Sequence, residues 1–467
     1  MIRLTTRRVV SGSVLALVAG LVPGLALTSA HAEPSGTLTV VGTSDVWDSN
    51  LMESVIIPKF EAYYQHKHGT AITLNYIHTG TGQAIATAEA NQASGLLVHA
   101  ASLENQFVKQ GYSLEKYGRA IFWGDYVLLG PASDPAGVLK GRSHGDIVRA
   151  FKKIATAGAA GKAEFVSRGS NPGTTIQEHA IWALTSGVPS CTVPDVDGGG
   201  KAPSNTPGAC PALSTLTPID YPSWYHATGL TQALNIEAAD SCNFGAPSND
   251  CYVFTDRGTF DFLKSTNALT KMGLVVDHND QASAAQQNLL VNSFHLYALN
   301  PQKFTPDAFG IRTGAMKDLL NWVTSPAGQS AVEGYLQKNG DEPFRPSARP
   351  AVTASPLPKK VKAHQKVTIK GSVKNVVPGT PALNGIRVWV QAFHHGKRTT
   401  VAHGKTNAKG KFVITFTPKL KRATYRVVTP KRIEKIENST LKPKFGDILE
   451  QSALRVGTMK VKHAGRR

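Results

Sequence analysis

Apolar residues follow two alternating spacings along residues 36–347. Short dense runs at Leu38–Val41, Ile72–Ile77, Leu96–Val98 and Tyr126–Gly130 read as buried strands. Between them, positions such as Leu51, Val55, Ile56 and Phe60 recur at helical spacing and predict helices with one apolar face. The alternation continues through a helix over 143–156, a strand at Phe165-Val166 and a helical segment from Trp224. It ends with a strand and helix start over Tyr252–Thr259, strands at 289–291 and 295–298, and helix faces at Leu319–Val323 and Val332–Leu336. Such alternation predicts an α/β unit whose mostly parallel sheet is covered by helices. Ligands in that architecture sit beyond the carboxyl ends of strands, where Gly42–Asp45 and Thr79–Gln83 fall. Roughly 310 residues suit two lobes better than one.

The pattern changes beyond the proline-rich stretch Phe344–Lys360. Short runs over 361–373, 386–393, 399–403, 411–416 and 424–428 alternate apolar and polar residues between Gly, Asn and Pro turns. They predict a small antiparallel β-sandwich over 361–467, joined by a linker over 348–360. Ile386, Val388 and Val390 fall on one face of its second strand, Arg387 and Trp389 on the other.

Charge separates the same two parts. The whole chain carries +19, but residues 351–467 hold 26 Lys/Arg against 4 Asp/Glu, whereas residues 1–350 hold 25 against 28. A tail this basic is attracted to polyanions. Its expected partners are anionic cell-wall polymers or anionic lipid head groups; no nucleic-acid motif accompanies the charge, and none is expected to bind.

The N-terminus reads as an export signal over residues 1–32. Arg3, Arg7 and Arg8 precede an apolar run from Val9 to Leu27, and Ala30-His31-Ala32 forms a small-x-small cleavage site. A secreted or envelope-associated, extracellular monomer is the expectation. Cysteine use agrees: Cys191, Cys210, Cys242 and Cys251 are even in number and confined to one region. Three pairings are open, of which the local one, Cys191–Cys210 with Cys242–Cys251, closes two short loops. A four-cysteine zinc site is the weaker alternative, because no CxxC pair is present.

The run Phe165–Glu178 carries the clearest chemistry. Ser167, Arg168, Gly169, Ser170, Gly173, Thr174 and Thr175 place a guanidinium, hydroxyls and two glycines at a helix start. Unpaired N–H groups there, with hydroxyl protons and a guanidinium, suit an oxyanion. Asp45 is either a helix cap or, if the ligand keeps a proton as phosphate does, an acceptor for that proton. Ser167, His179 and Asp256 contain the residue types of a hydrolase triad, but no nucleophile-elbow sequence surrounds the serine, and no enzyme activity is expected.

Several segments together resemble the tungstate-binding proteins of ABC transporters, relatives of the molybdate- and phosphate-binding proteins. They are Gly42–Leu51, Gly80-Thr-Gly-Gln-Ala84, Ser167-Arg-Gly with Gly173-Thr174, Trp224–Asn235 and Phe254–Thr259. The resemblance implies a two-lobed periplasmic-binding-protein-like fold of type II, with lobe 1 at about 36–123 and 290–347 and lobe 2 at about 124–289. It implies capture of a tetrahedral oxyanion and its delivery to a membrane permease, with no cofactor and no bound metal. Thr43, Ser44 and Thr81 would serve from one lobe, Arg168 and Thr174 from the other. The tail is similar in pattern to bacterial immunoglobulin-like domains. Two departures leave the choice of anion open: Gly42 and Asp45 interrupt the family's threonine run, and Ser170-Asn171-Pro172 replace its acidic pair and serine. A phosphate or sulfate receptor, and a surface-attachment protein outside transport, remain the alternatives.

Overall fold

The computed structural model describes residues 36–169, 172–185, 187–188, 221–245, 247–304, 310–336, 341–378, 383–437 and 444–462. The expected export signal, Ser170, Asn171 and the expected Cys191–Cys210 bridge lie outside them.

The chain opens with β1 (Thr37–Thr43), whose apolar positions are fully buried. A crossover through α1 (Ser44–Asp48), a π-helical turn at Met52–Ile56 and α2 (Ile57–His68) leads to β2 (Thr73–Thr79). A second crossover, α3 (Thr81–Glu89), leads to β3 (Gly95–Val98), which is followed by α4 (Ala101–Lys109). β1 lies between β2 and β3 and is parallel to both, so the carboxyl ends of all three strands point the same way. β4 (Gly118–Pro131) is 14 residues long and passes from one lobe into the other.

The second lobe contains α5 (Ile147–Ala159), β5 (Glu164–Ser167), α6 (Gly173–Trp182), β6 (Tyr225–Ala227), α7 (Gln232–Ser241), β7 (Cys251–Asp256), α8 (Arg257–Ser265) and β8 (Met272–Val276). β5 runs parallel to both β6 and β7. The helical segment expected from Trp224 is therefore a strand first; its aromatic residues face the core beside Phe165, and the helix starts only at Gln232. Cys242 and Cys251 form a disulfide at the base of this sheet, which removes both from any four-cysteine zinc set.

β9 (Val291–Ala298) returns the chain to the first lobe, where α9 (Thr313–Val323), α10 (Pro326–Glu333) and the two-residue β10 (Arg345–Pro346) complete it. β4 pairs with β9 over Arg119–Asp125, then with β7 from Tyr126. The hinge thus lies at Asp125-Tyr126, opposite Leu290, whose carbonyl accepts from Tyr126 N at 2.7 Å. Asp125 holds this point through Arg257 at 3.2 Å and Arg345 at 2.9 Å. Each lobe has its own core, one around Phe60, Phe122, Phe294 and Trp322, the other around Phe151, Phe165, Trp182 and Phe254. Each such ring contributes about 2–3 kcal/mol of transfer free energy on burial.

The tail is a β-sandwich. β11 (Ala351–Ala354), β12 (Lys360–Lys362), β13 (Val367–Lys374), β14 (Arg387–His394), β15 (Lys397–Lys405), β16 (Lys411–Phe416) and β17 (Arg422–Val428) precede the hairpin of β18 (Arg432–Glu437) and β19 (Lys444–Leu449), and β20 (Ala453–Lys462) ends it. A three-stranded sheet, β11-β13-β16, faces a five-stranded sheet, β12-β20-β17-β14-β15. Between them lie Ile369, Val388, Val390, Phe412, Tyr425 and Met459. The expected 348–360 linker already carries a sandwich strand, β11.

The β18–β19 hairpin departs from a self-contained module. It joins the first-lobe sheet, where Asp447 and Ile448 of β19 lie parallel to Gly118 and Arg119 of β4. His295 sits buried between Glu104 at 2.7 Å and Asp447 at 2.5 Å. Glu450 meets Arg119 at 3.3 Å and Lys431 at 3.1 Å. Periodicity could not reveal this docking, because the hairpin edge that pairs with β4 is backbone and carries no sequence signature.

Candidate functional site

Strand ends of the two lobes meet in one cleft. From the first lobe come Thr43–Asp45 after β1, Thr81 at the start of α3 and His99 after β3. From the second come Arg168 after β5, Gly173-Thr174 at the start of α6 and Asp256 at the end of β7. Gly169 turns the chain between Arg168 and α6 with φ +67°, a conformation that disfavours a side chain.

Arg168 is 7 % exposed and reaches across the cleft. Its Nη2 donates to Ser44 Oγ at 2.6 Å, Nη1 to Gln232 Oε1 at 3.3 Å and Nε to the Leu230 carbonyl at 3.1 Å. All three acceptors are neutral. Burial lowers its pKa, and Asp45, Asp48 and Asp256 offset this only at a distance. A buried guanidinium without a directly contacting carboxylate is costly unless an anion completes its surroundings.

Two hydroxyls at these strand and helix ends are also buried. Thr43 Oγ1 and Thr174 Oγ1 are buried with no directed hydrogen bond of their own. The Thr43 hydroxyl lies close enough to the Asp45 carboxylate to help keep it ionised, without the geometry of a directed bond. Thr81 Oγ1 accepts from Gly173 N at 3.1 Å across the cleft, which leaves its own proton to donate elsewhere. Ser167 differs from its neighbours: its hydroxyl donates inward to Glu178 Oε2 at 2.8 Å and accepts from Gly169 N at 3.2 Å. Glu178 also receives Trp182 Nε1 and the Tyr225 hydroxyl, and burial pushes its pKa up to about 7.

Asp45 neither caps α1 through its side chain nor stands free. Its Oδ2 lies 2.9 Å from His99 Nε2, and its Oδ1 accepts from the adjacent Val46 N at 3.1 Å. Burial opposes charge on both members, but each stabilises the other: the Asp45 pKa falls below its ordinary value and the His99 pKa rises above its own. His99 Nδ1 meets the Tyr126 hydroxyl at 2.9 Å. Asp256 caps α8 by accepting from Thr259 N and Oγ1; burial and the Asp45 charge push it up to about 7. Arg257 turns instead to Asp125 and Asp277, so Asp256 and Arg257 form no pair with each other.

Ser167, His179 and Asp256 are not assembled as a triad. Ser167 is bound to Glu178, His179 lies 3.3 Å from the Tyr225 hydroxyl, and burial lowers its pKa to about 4. The structure places Thr43, Ser44, Asp45, Thr81, Arg168 and Thr174 at facing strand and helix ends, together with His99, Gln232 and Asp256. His99 was findable: it follows the third parallel strand, just as the two motifs already singled out follow the first and second.

Lobe contacts close the cleft tightly. Gly173 packs on His99 so closely that a Cβ there would lie 2.3 Å from the ring. Ala233 N donates to Asp48 Oδ2 at 3.1 Å, and Thr259 Oγ1 reaches the Asp45 carbonyl at 3.5 Å.

Comparison with known proteins adds sequence relatives. Residues 28–327 match the family described as a PBP superfamily domain. A putative ABC transporter anion-binding protein of Haloferax volcanii is 28% identical over 314 residues, 67% of this chain and 72% of that protein. The tungstate-binding protein TupA of Peptoclostridium acidaminophilum is 26% identical over 317 residues, 68% of this chain and 87% of that protein. The solved structure of a tungstate-binding protein from Desulfovibrio alaskensis G20 is 25% identical, covers 66% of this chain and 98% of that one, and superposes with a TM-score of 0.44.

Proposed function

The chain belongs to the PBP superfamily, and from this premise we propose that it is the extracellular receptor of an ABC transporter. It closes its lobes on a tetrahedral oxyanion, foremost tungstate or molybdate, and delivers it to a membrane permease. The protein binds rather than catalyses, and the names of its relatives call them binding proteins. The observation that carries the reading is Arg168: a buried cation whose three hydrogen-bond acceptors are all neutral. Thr43 and Thr174 supply buried hydroxyls beside it, and the starts of α3 and α6 bring N–H groups to the same cleft.

The hydrogen-bond pattern favours a fully deprotonated dianion. Asp45 raises the pKa of His99, Asp45 and Asp48 both act on Arg168 at a distance, and burial with the Asp45 charge pushes Asp256 up to about 7. A ligand that keeps a proton would need Asp45 as acceptor, but that carboxylate already receives His99 and Val46 N. Ser167 acts one step back, fixing the turn that aims Arg168.

Calorimetric titration of residues 33–467 with tungstate, molybdate, sulfate and phosphate tests the proposal. Tight one-to-one binding of tungstate or molybdate supports it. Preference for phosphate would assign Asp45 to the ligand, and no binding by any of the four would leave the cleft without its proposed use.

A further inference from the structure

We propose that the outer face of β12, β20 and β17 binds a linear, phosphate-bearing polymer through its backbone charges alone. The inference concerns the tail and does not depend on the anion cleft.

Three strands place cations in register there. Lys360 of β12 lies opposite Lys460 of β20, and Lys460 lies opposite Arg422 of β17, giving one rung of three positive residues across three neighbouring strands. Lys362 and Lys462 form a second like-charged pair on the same face. The alternate residues Val361, Val461, Ala423 and Met459 are buried in the sandwich core, so the cations face outward, and all five are exposed. Like charges directly opposite on adjacent strands repel and weaken the sheet. Strands lie about 4.8 Å apart, so the three charges of the rung span about 10 Å.

Among the described residues nothing acidic relieves this repulsion. Residues 351–433 and 451–467 contain no Asp or Glu. The four acids of the tail all fall within 434–450, and of these Asp447 and Glu450 are turned to His295 and Arg119 of the first lobe. Among the described residues none of the five cations has a carboxylate partner. An external anion is what completes the surface.

Shape selects the kind of anion. The face is not flat: four of the five cations, Lys360, Arg422, Lys460 and Lys462, line an open groove of about 520 Å³ with Lys421, His394, His395 and the edge of Val461. A concave run of cations fits a chain laid along it better than a bilayer surface. The large exposed apolar residues described in the tail, Val413 and Ile433, lie on other strands, so no wedge accompanies the groove into lipid. The rings that line it are the imidazoles of His394 and His395, which meet edge to face at 4.1 Å; no Phe, Tyr or Trp lines it to stack a base. The chemistry left is a string of phosphates without bases.

The test uses the full mature chain and two triple variants of equal charge. Lys360→Ala/Arg422→Ala/Lys460→Ala removes the rung; Lys370→Ala/Lys374→Ala/Lys411→Ala removes exposed lysines of the other sheet. Each is titrated with long-chain inorganic polyphosphate, with a single-stranded oligonucleotide of equal phosphate number, and with phosphatidylglycerol vesicles, at several salt concentrations. Polyphosphate should bind most tightly. The rung variant should lose tenfold or more in affinity, and its salt slope should flatten by about 2–3, while the control changes by less than threefold. Equal losses in the two variants would reduce the groove to diffuse charge and overturn the site. Tighter binding of the oligonucleotide or of vesicles would overturn the class of ligand. Circular dichroism of both variants confirms that each comparison is between folded proteins.

Discussion

Arg168 Nη2 donates to Ser44 Oγ at 2.6 Å, and this bond joins the two lobes across the cleft. A single side chain therefore acts both as the cationic donor of the proposed anion site and as a closure contact. Its neutral partners hold its direction without neutralising it.

Replacing Arg168 with alanine should remove charge-assisted bonds worth about 3 kcal/mol, a loss of about 100-fold in oxyanion affinity. The melting temperature without ligand should change little, because the freed acceptors reach water in an opened cleft. Calorimetry on Arg168→Ala and Arg168→Lys checks this, and unchanged affinity in the alanine variant would falsify the assignment of the site.

Asp45 and His99 set a pH window. The folded pKa of Asp45 is lowered, so its contribution is present above about pH 4 and lost as pH falls through that folded value. The folded pKa of His99 is raised, so its contribution is fully present below about pH 6.5 and lost as pH rises through its folded value. Molybdate affinity should accordingly weaken on the alkaline side, where His99 loses its charge. His99→Gln should bind less tightly at acid and neutral pH and lose that alkaline decline; a decline that persists in His99→Gln points to another group.

Gly173 decides how near the lobes come. Alanine there puts a Cβ 2.3 Å from the His99 ring, too close without displacement of the ring or the helix. Gly173→Ala should lower anion affinity by about tenfold or more, while thermal stability without ligand stays nearly constant. Small-angle scattering should show less compaction on adding anion than in the parent, and identical compaction would sink the steric argument.

His295 ties the tail to the first lobe. Burial alone would lower its pKa, but Asp447 and Glu104 raise it well above the usual value. The raised value means that its contribution is full below about pH 6.5 and fades as pH climbs through the folded pKa. Protection of the β19 amides, taken relative to their intrinsic exchange rates, should therefore fall at alkaline pH. Asp447→Asn should weaken docking by about 3 kcal/mol, the order seen when one member of a buried ion pair is removed, and should speed exchange in β19 already at neutral pH. Equal protection in parent and variant would show that the strand pairing alone holds the hairpin.

Much of this protein is local and therefore legible in its sequence. Burial of alternating apolar runs fixes the α/β core and the sandwich, because periodicities of 3.6 and 2 are properties of single elements. The motifs of the proposed anion site are local too: Thr43-Ser44, Thr81 and Arg168 with Thr174 follow strands directly, and each strand end aims its loop. The charge split between residues 1–350 and 351–467 is a matter of counting.

Tertiary structure alone decided what comes from distant segments. The Asp45–His99 pair joins residues 54 positions apart, and their partnership appears only when β1 and β3 lie side by side. Tyr225–Ala227 became a strand because its aromatic residues pack against the second-lobe core, overriding the helical reading. The docking of β19 on β4 rests on backbone pairing and one buried histidine between carboxylates from two different elements. The cationic rung of Lys360, Lys460 and Arg422 likewise exists only through strand register. Periodicity is carried by neighbours in the chain, whereas register and ion pairing are set by which surfaces the fold brings together.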